Sequence, residues 1–155
     1  MKAAANTSAN SDYAPNLLIG LREEFEQRII AWQSTSENMP TIWVDRQDLR
    51  SILIYLRDKA EPRFEMLFDI TAIDERVRVH RQGQPESEFS VVYHLMSFSG
   101  NRDFRIKVPL MDADLNIPSV VSLWPSANWY ERETWDMFGI NFEGHPNLYR
   151  IVLPP

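Results

Sequence analysis

Glu88-Phe-Ser-Val-Val-Tyr-His-Leu-Met-Ser-Phe98, then Ser99-Gly-Asn-Arg102, then Asp103-Phe-Arg-Ile-Lys-Val-Pro-Leu110 reads as two strands joined by a tight turn. In the second run Phe104, Ile106, Val108 and Leu110 fall on one side, and Asp103, Arg105 and Lys107 on the other. A period of two matches the pleat, so this strand is expected to be half-buried. Pro109 has no N–H to give and suits a sheet edge or a strand end. The first run is apolar on both sides, with Phe89, Val91, Tyr93 and Leu95 on one and Val92, Met96 and Phe98 on the other. Such a strand is covered twice, by its own helices and loops or by another protein.

Working outward, a third strand is expected near Phe64–Ile73, linked to the first by a long connection, Arg76 to Ser87, that contains Gly83 and Pro85. Upstream, Leu17, Leu18, Leu21, Phe25 and Ile29 recur at helical spacing from Pro15, a residue suited to a first turn. Ile29–Gln33 and Thr41–Val44 are short extended runs that a polar loop, Ser34–Pro40, would join as a hairpin. Asp45 is a candidate cap for a second helix carrying Leu49, Ile52, Leu53 and Leu56 and ending before Pro62, with Asp48 in its first turn. Met111–Ala127 is expected as a loop with one helical turn around Val120–Leu123. Residues 1–14, rich in Ala, Asn and Ser, are expected to be a disordered tail, and 15–155 one domain. The expected fold class is α+β: a two-layer domain, a mainly antiparallel sheet packed against helices, plus a C-terminal helix and an extended tail.

Composition narrows function. The 155 residues are 44% apolar and 25% charged, an ordinary globular balance. A net charge of −6 repels phosphate backbones and argues against nucleic acid as a partner. No apolar run has the roughly 18–20 residues of a membrane span, and Met1–Ser11 does not read as a secretory signal. There is no cysteine, the usual ligand of iron–sulfur clusters and of many structural zinc sites. His80, His94 and His145 lack ligand spacing, and the five glycines form no nucleotide-binding loop.

Chemistry, if any, is concentrated in Trp129-Tyr-Glu-Arg-Glu-Thr-Trp-Asp-Met-Phe-Gly-Ile-Asn-Phe-Glu-Gly-His-Pro146 and the Asn-Leu-Tyr-Arg-Ile that follows. Asn128-x-x-Glu131 has the form of a capping box, and Gly139 stands where a left-handed C-cap is wanted, so a helix from about Trp129 to Phe138 is expected. On a helical wheel Tyr130, Trp135, Met137 and Phe138 share an apolar arc, with Arg132, Glu133 and Asp136 opposite. Glu131 lies on the apolar arc and needs the cap or a basic partner. Arg132 and Asp136, four apart, can pair for about 0.3–0.5 kcal/mol. Trp129 sits among charges, where an indole either folds back onto a loop or anchors an interface. Glu133, Asp136 and His145 are the candidate acid–base or metal set, since Glu131 and Glu133 point apart; a His-Pro turn more commonly bridges backbone.

The order Glu131-Arg132-Glu133, two spacers, Asp136, two apolar residues, then His145 and Arg150-Ile151 resembles the signature of the C subunit (30-kDa subunit) of proton-pumping NADH:quinone oxidoreductase, respiratory complex I. The likeness extends over most of residues 15–155. It departs at Tyr149, where the family usually has a basic residue, and at Leu153-Pro-Pro155, where the family continues. The wording is nearest to forms in which the C part is fused ahead of the D subunit, so a missing D portion is expected.

The resemblance implies a non-catalytic structural member of the hydrophilic arm, on the cytoplasmic side of the bacterial inner membrane. It implies contact with the quinone-site D subunit and the iron–sulfur subunits. No cofactor is expected on this chain; FMN and iron–sulfur clusters belong to partners that carry electrons from NADH to quinone and couple this to proton translocation. The expected working surface comprises Trp129, Arg132, Gly144, His145, Pro146, Tyr149, Arg150 and a strand-like end, Tyr149–Leu153, with an exposed apolar patch. The rival readings are a small metalloenzyme using Glu133, Asp136 and His145, and an adaptor for an unrelated assembly.

Overall fold

The computed structural model describes residues 15–33, 35 and 39–154. The expected tail over 1–14 and most of the Ser34–Pro40 loop lie outside these. Helix α1, Pro15–Phe25, and a single 3-10 turn lead into strand β1, Ile29–Gln33, which forms the expected hairpin with β2, Thr41–Val44. Helix α2, Arg46–Asp58, is capped as its sequence suggests: the Asp45 carboxylate accepts from the Gln47 amide at 2.9 Å. Its Leu49, Ile52, Leu53 and Leu56 are all buried, each contributing roughly 1.5–3 kcal/mol of transfer free energy. Strands β3 (Met66–Asp74), β4 (Phe89–Ser97) and β5 (Arg102–Leu110) follow, then β6 (Asn116–Pro118), helix α3 (Ala127–Phe138) and β7 (Asn141–Glu143).

The main sheet runs β1-β2-β5-β4-β3. The β4–β5 hairpin is its spine, with Phe89 opposite Leu110 and Ser97 opposite Arg102. Tyr93, Ile106, Ile70 and Ile42 join one buried face, and residues of the three helices belong to the same apolar cluster. The fold is therefore the expected two-layer α+β domain, with two additions. The pairing of β2 with β5 is parallel, which makes the sheet mixed, and β6 and β7 form a separate parallel pair. Met111–Ala127 thus contains a strand as well as the expected turn, in which Leu123 N–H donates to Val120 O at 2.9 Å.

β5 is central, so Pro109 is not on an edge strand. It is tolerated because β2 pairs only with Arg105–Lys107, which leaves Pro109 beyond that ladder, one residue from the strand end. On the sheet's outer face Trp43 and Val92 are buried beside Arg105 and Lys107, with the Lys107 ammonium 5.2 Å from the Trp43 ring centre. Long cationic side chains cover apolar neighbours here with their stems.

One row on α2 positions everything downstream. Arg46 donates to Asn116 O at 2.6 Å, Arg50 to Ser119 O at 2.6 Å, and Arg57 to Leu123 O at 2.9 Å. Three guanidinium groups thereby hold the carbonyls of the segment leading into α3. Replacing Arg50 by Leu is expected to cost about 1.5–3 kcal/mol, the usual worth of a hydrogen bond to a charged group. Urea denaturation checks this, with an unchanged slope and a lower midpoint.

Candidate functional site

Helix α3 begins earlier than its sequence suggests. Ala127 N–H and Asn128 N–H donate to Trp124 O and Pro125 O, so the preceding turn satisfies the first donors and Asn128 lies inside the helix. The capping-box reading is overturned, and Ser126, the flanking residue, makes no side-chain cap bond. The other end is as expected: Gly139 adopts φ 74°, the left-handed region a C-cap uses, and its N–H bonds Trp135 O. The helix buries Ala127, Glu131 and Thr134 and half-buries Tyr130, Trp135 and Phe138; Met137, expected on the buried arc, is exposed. Thr134 Oγ1 donates to Tyr130 O at 2.8 Å and lies 3.4 Å from Ile70 O of β3.

Glu131 is 0% exposed, and neither a cap nor a direct basic contact satisfies it. Ser119 Oγ donates to its Oε2 at 2.6 Å, and the Val120 amide to Oε1 at 2.7 Å. Burial pushes its carboxyl up to about 7, against the pull of Ser119, Val120 and the Arg50 charge. Nearby, the phenol of fully buried Tyr93 is pushed well above its ordinary range, by burial first and then by Glu131. Ser119 is gripped from both sides, its carbonyl by Arg50 of α2 and its hydroxyl by Glu131 of α3.

Asp136 does not pair with Arg132. Its Oδ2 accepts three consecutive amides of the tail, Ile151 at 3.2 Å and Val152 and Leu153 at 2.8 Å each. These bonds, Leu153 first, hold the carboxyl below its ordinary range, and the wrapping tail leaves the side chain 1% exposed. Three amides in a row cannot donate to one atom from an extended strand. The Tyr149–Leu153 end is accordingly a bend around a carboxylate, not the strand-like element expected.

Arg132 turns instead to aromatics. Its guanidinium carbon lies 5.3 Å from the Trp129 ring centre and 4.5 Å from that of Tyr149, and its Nε donates to Tyr149 O at 3.3 Å. Trp129 and Tyr149 stay 59% and 51% exposed. The Tyr149 hydroxyl accepts from Asn147 Nδ2 at 2.6 Å. His145 bridges backbone: its Nδ1 accepts the Asn147 amide at 2.9 Å, so Nε2 carries the proton facing Asn128 O at 3.1 Å. Gly144, at φ 82°, makes the turn, and Gly144 and Pro146 line a groove of about 480 Å³ with Arg50, Pro118 and Val121. Arg150 stands 3.8 Å from Asp136 Oδ1 and donates to Pro154 O at 3.1 Å. Of the candidate acid–base or metal set, Glu133 is exposed, Asp136 is occupied by tail amides and His145 by backbone, and no three metal-ligating side chains converge among the described residues.

The class this geometry defines is an α+β domain whose C-terminal segment is strapped by side-chain-to-backbone bonds over its last helix. The model of the family described as the respiratory-chain NADH dehydrogenase 30 Kd subunit matches residues 42–155, and the chain belongs to that family. It is 58% identical over 79% of its length to the C/D subunit of the NADH-quinone oxidoreductase of Acidiphilium cryptum, covering 21% of that protein. Over its full length it is 49% identical to the C/D subunit from Chromohalobacter salexigens, covering 26% of it. It thus spans a fifth to a quarter of these relatives. Among solved structures, the trypsin-resistant fragment of Nqo5 superposes with TM-score 0.72 at 29% identity, over 84% of this chain and 98% of the fragment. A chain of an archaeal membrane-bound sulfane sulfur reductase complex superposes with TM-score 0.60 at 26% identity, over 83% and 71%.

Two predictions test the struts. Glu131 has a folded pKa raised above the ordinary 4.5, so the folded state binds the extra proton; its own contribution to stability is fully present below about pH 4.5 and is lost as pH rises towards about 7. Over that window this group alone removes on the order of 3 kcal/mol, and Glu131→Gln is expected to flatten the fall, read from urea midpoints across pH. Asp136→Ala is expected to release the tail: trypsin cleavage after Arg150 should quicken by roughly tenfold or more while the melting temperature hardly moves.

Proposed function

We propose that this chain is a structural member of the peripheral arm of a proton-translocating NADH:quinone oxidoreductase, acting by shape and without chemistry of its own. Residues 15–155 form its one domain in this reading. It contacts the quinone-site D subunit, to which it is joined in the fused C/D relatives, and helps hold the iron–sulfur subunits. Electrons pass from NADH through FMN and iron–sulfur centres in those partners. The arm faces the cytoplasm at the bacterial inner membrane; no described helix is long and apolar enough to cross that membrane.

The observation that carries this reading is the Trp129–Arg132–Tyr149 stack. An arginine held between two half-exposed aromatics is preorganised at little entropic cost, and Trp, Tyr and Arg dominate the energetics of interfaces. The stack rests on α3, which the buried Glu131 fixes, and on the tail, which Asp136 fixes. The exposed Met137, Val152 and Leu153 belong to the same C-terminal segment, as an unfinished contact surface requires.

A tagged chain is expected to co-purify with the quinone-site partner and the iron–sulfur subunits. Trp129→Ala combined with Arg132→Ala should lower that recovery about tenfold or more without unfolding the chain, the effect of losing hot-spot residues. Normal assembly and NADH:quinone activity in cells deleted for this chain would overturn the reading.

A further inference from the structure

A second built feature lies away from the C-terminal block, where the loop between β3 and β4 meets the outer face of the sheet. A cavity of about 180 Å³ opens there, with Arg78, Arg81, Arg105 and Lys107 in its lining. Among the described residues its one carboxylate is Glu75, which is buried and already accepts the Ser90 hydroxyl at 2.6 Å. On a chain of net charge −6, Arg78, Arg81 and Lys107 around one occupied carboxylate among the described residues make a local reversal of sign. Burial first, and then the Arg105 charge, push the Lys107 ammonium below its ordinary range, and an incoming anion would act in the opposite direction.

Two amide donors in the lining are unused. The Gln33 and Gln84 side-chain nitrogens are buried without a hydrogen-bond partner. Their orientation is fixed, because the Gln33 carbonyl oxygen accepts Trp43 Nε1 at 2.8 Å and that of Gln84 accepts the Arg81 amide at 3.3 Å. Both glutamines line the cavity. Buried unpaired donors beside cations make a site that lacks its acceptor. The space is below the roughly 300–1,000 Å³ of ordinary small-molecule pockets and suits a single charged group. The adjoining loop, Arg76-Val-Arg-Val-His-Arg81, leaves Val77 88% and Val79 96% exposed. Nearly naked valines between arginines favour a polypeptide over a free ion, since a free ion has nothing to bury them.

We propose that this cavity receives the carboxylate of an Asp or Glu side chain from a partner polypeptide, with Val77 and Val79 packing against the apolar residues next to it. The inference rests on the assembly reading above and adds a second contact surface, cationic where the first is aromatic.

Carbodiimide coupling joins an amine to a carboxylate only in direct contact, so Lys107 reports its neighbour. In the purified assembly, mass spectrometry is expected to find Lys107 joined to an Asp or Glu of another subunit, a product absent from the isolated chain and from Lys107→Arg. Arg78→Glu with Arg81→Glu should weaken incorporation roughly tenfold, as charge reversal at a steering contact does. If the chain is in the assembly but Lys107 couples only to its own Glu75, or to nothing, the docking site is overturned while the assembly reading stands. Protection of Lys107 in the isolated chain by inorganic phosphate at matched ionic strength, without any coupling to a neighbour, would make it an ion site and overturn the docking too. Absence of the chain from the assembly removes both readings.

Discussion

A carboxylate withdrawn from water, Glu131, ties two layers of this molecule together. It has no exposure and no cation in contact, yet it accepts a hydroxyl and an amide from Ser119 and Val120. Arg50 holds the Ser119 carbonyl from the opposite side, so α2 and α3 grip one short stretch of backbone between them. Burying a carboxylate is costly unless its lone pairs are filled. That cost makes the geometry specific: a rotation of α3 that lost either bond would leave a buried charge or an unsatisfied acid. The direction in which Trp129 and Arg132 project from α3 follows from where Glu131 is pinned.

Asp136 repeats the device one turn further along. A single oxygen collecting three consecutive amides shapes the tail without help from a strand ladder or an apolar core. His145 joins the turn before it to the start of α3 through both ring nitrogens. Acid and imidazole groups that resemble catalytic equipment in the sequence are used here to satisfy backbone, which leaves Arg132 free to lie between two exposed rings. The Tyr149 ring provides the second aromatic contact for this guanidinium.

Much of the fold was legible where a local period exists. Phe104, Ile106, Val108 and Leu110 alternate and are buried; Leu49, Ile52, Leu53 and Leu56 recur at helical spacing and are buried; Asp45 and Gly139 end their helices as their chemistry requires. The parallel pairing of β2 with β5 was not legible, since contact between Ile42 and Ile106 leaves no trace in neighbouring residues. Strands of three residues, β6 and β7, are too short to show a period. The Asn128-x-x-Glu131 spelling misled because a capping box and an inward-facing glutamate look alike until the preceding turn is known. Arg46, Arg50 and Arg57 did carry a signal, a single arginine row along α2, but their partners are carbonyls, which every residue has.

The aromatic and charged block Trp129–Arg150 is legible in the sequence, and its internal bonds are not. Density of aromatics and charges located it; only the folded chain could say that Asp136 serves the tail and Arg132 the rings. The most direct measurement is amide hydrogen exchange at Val152 and Leu153 in the isolated chain. Both lie outside any helix or strand, so ordinary expectation gives them the rate of an unstructured peptide. Anchorage on Asp136 predicts exchange slowed by at least about tenfold and restored to the free rate in Asp136→Ala. Free-peptide exchange in the unaltered chain would contradict the claim that Asp136 anchors the tail over α3.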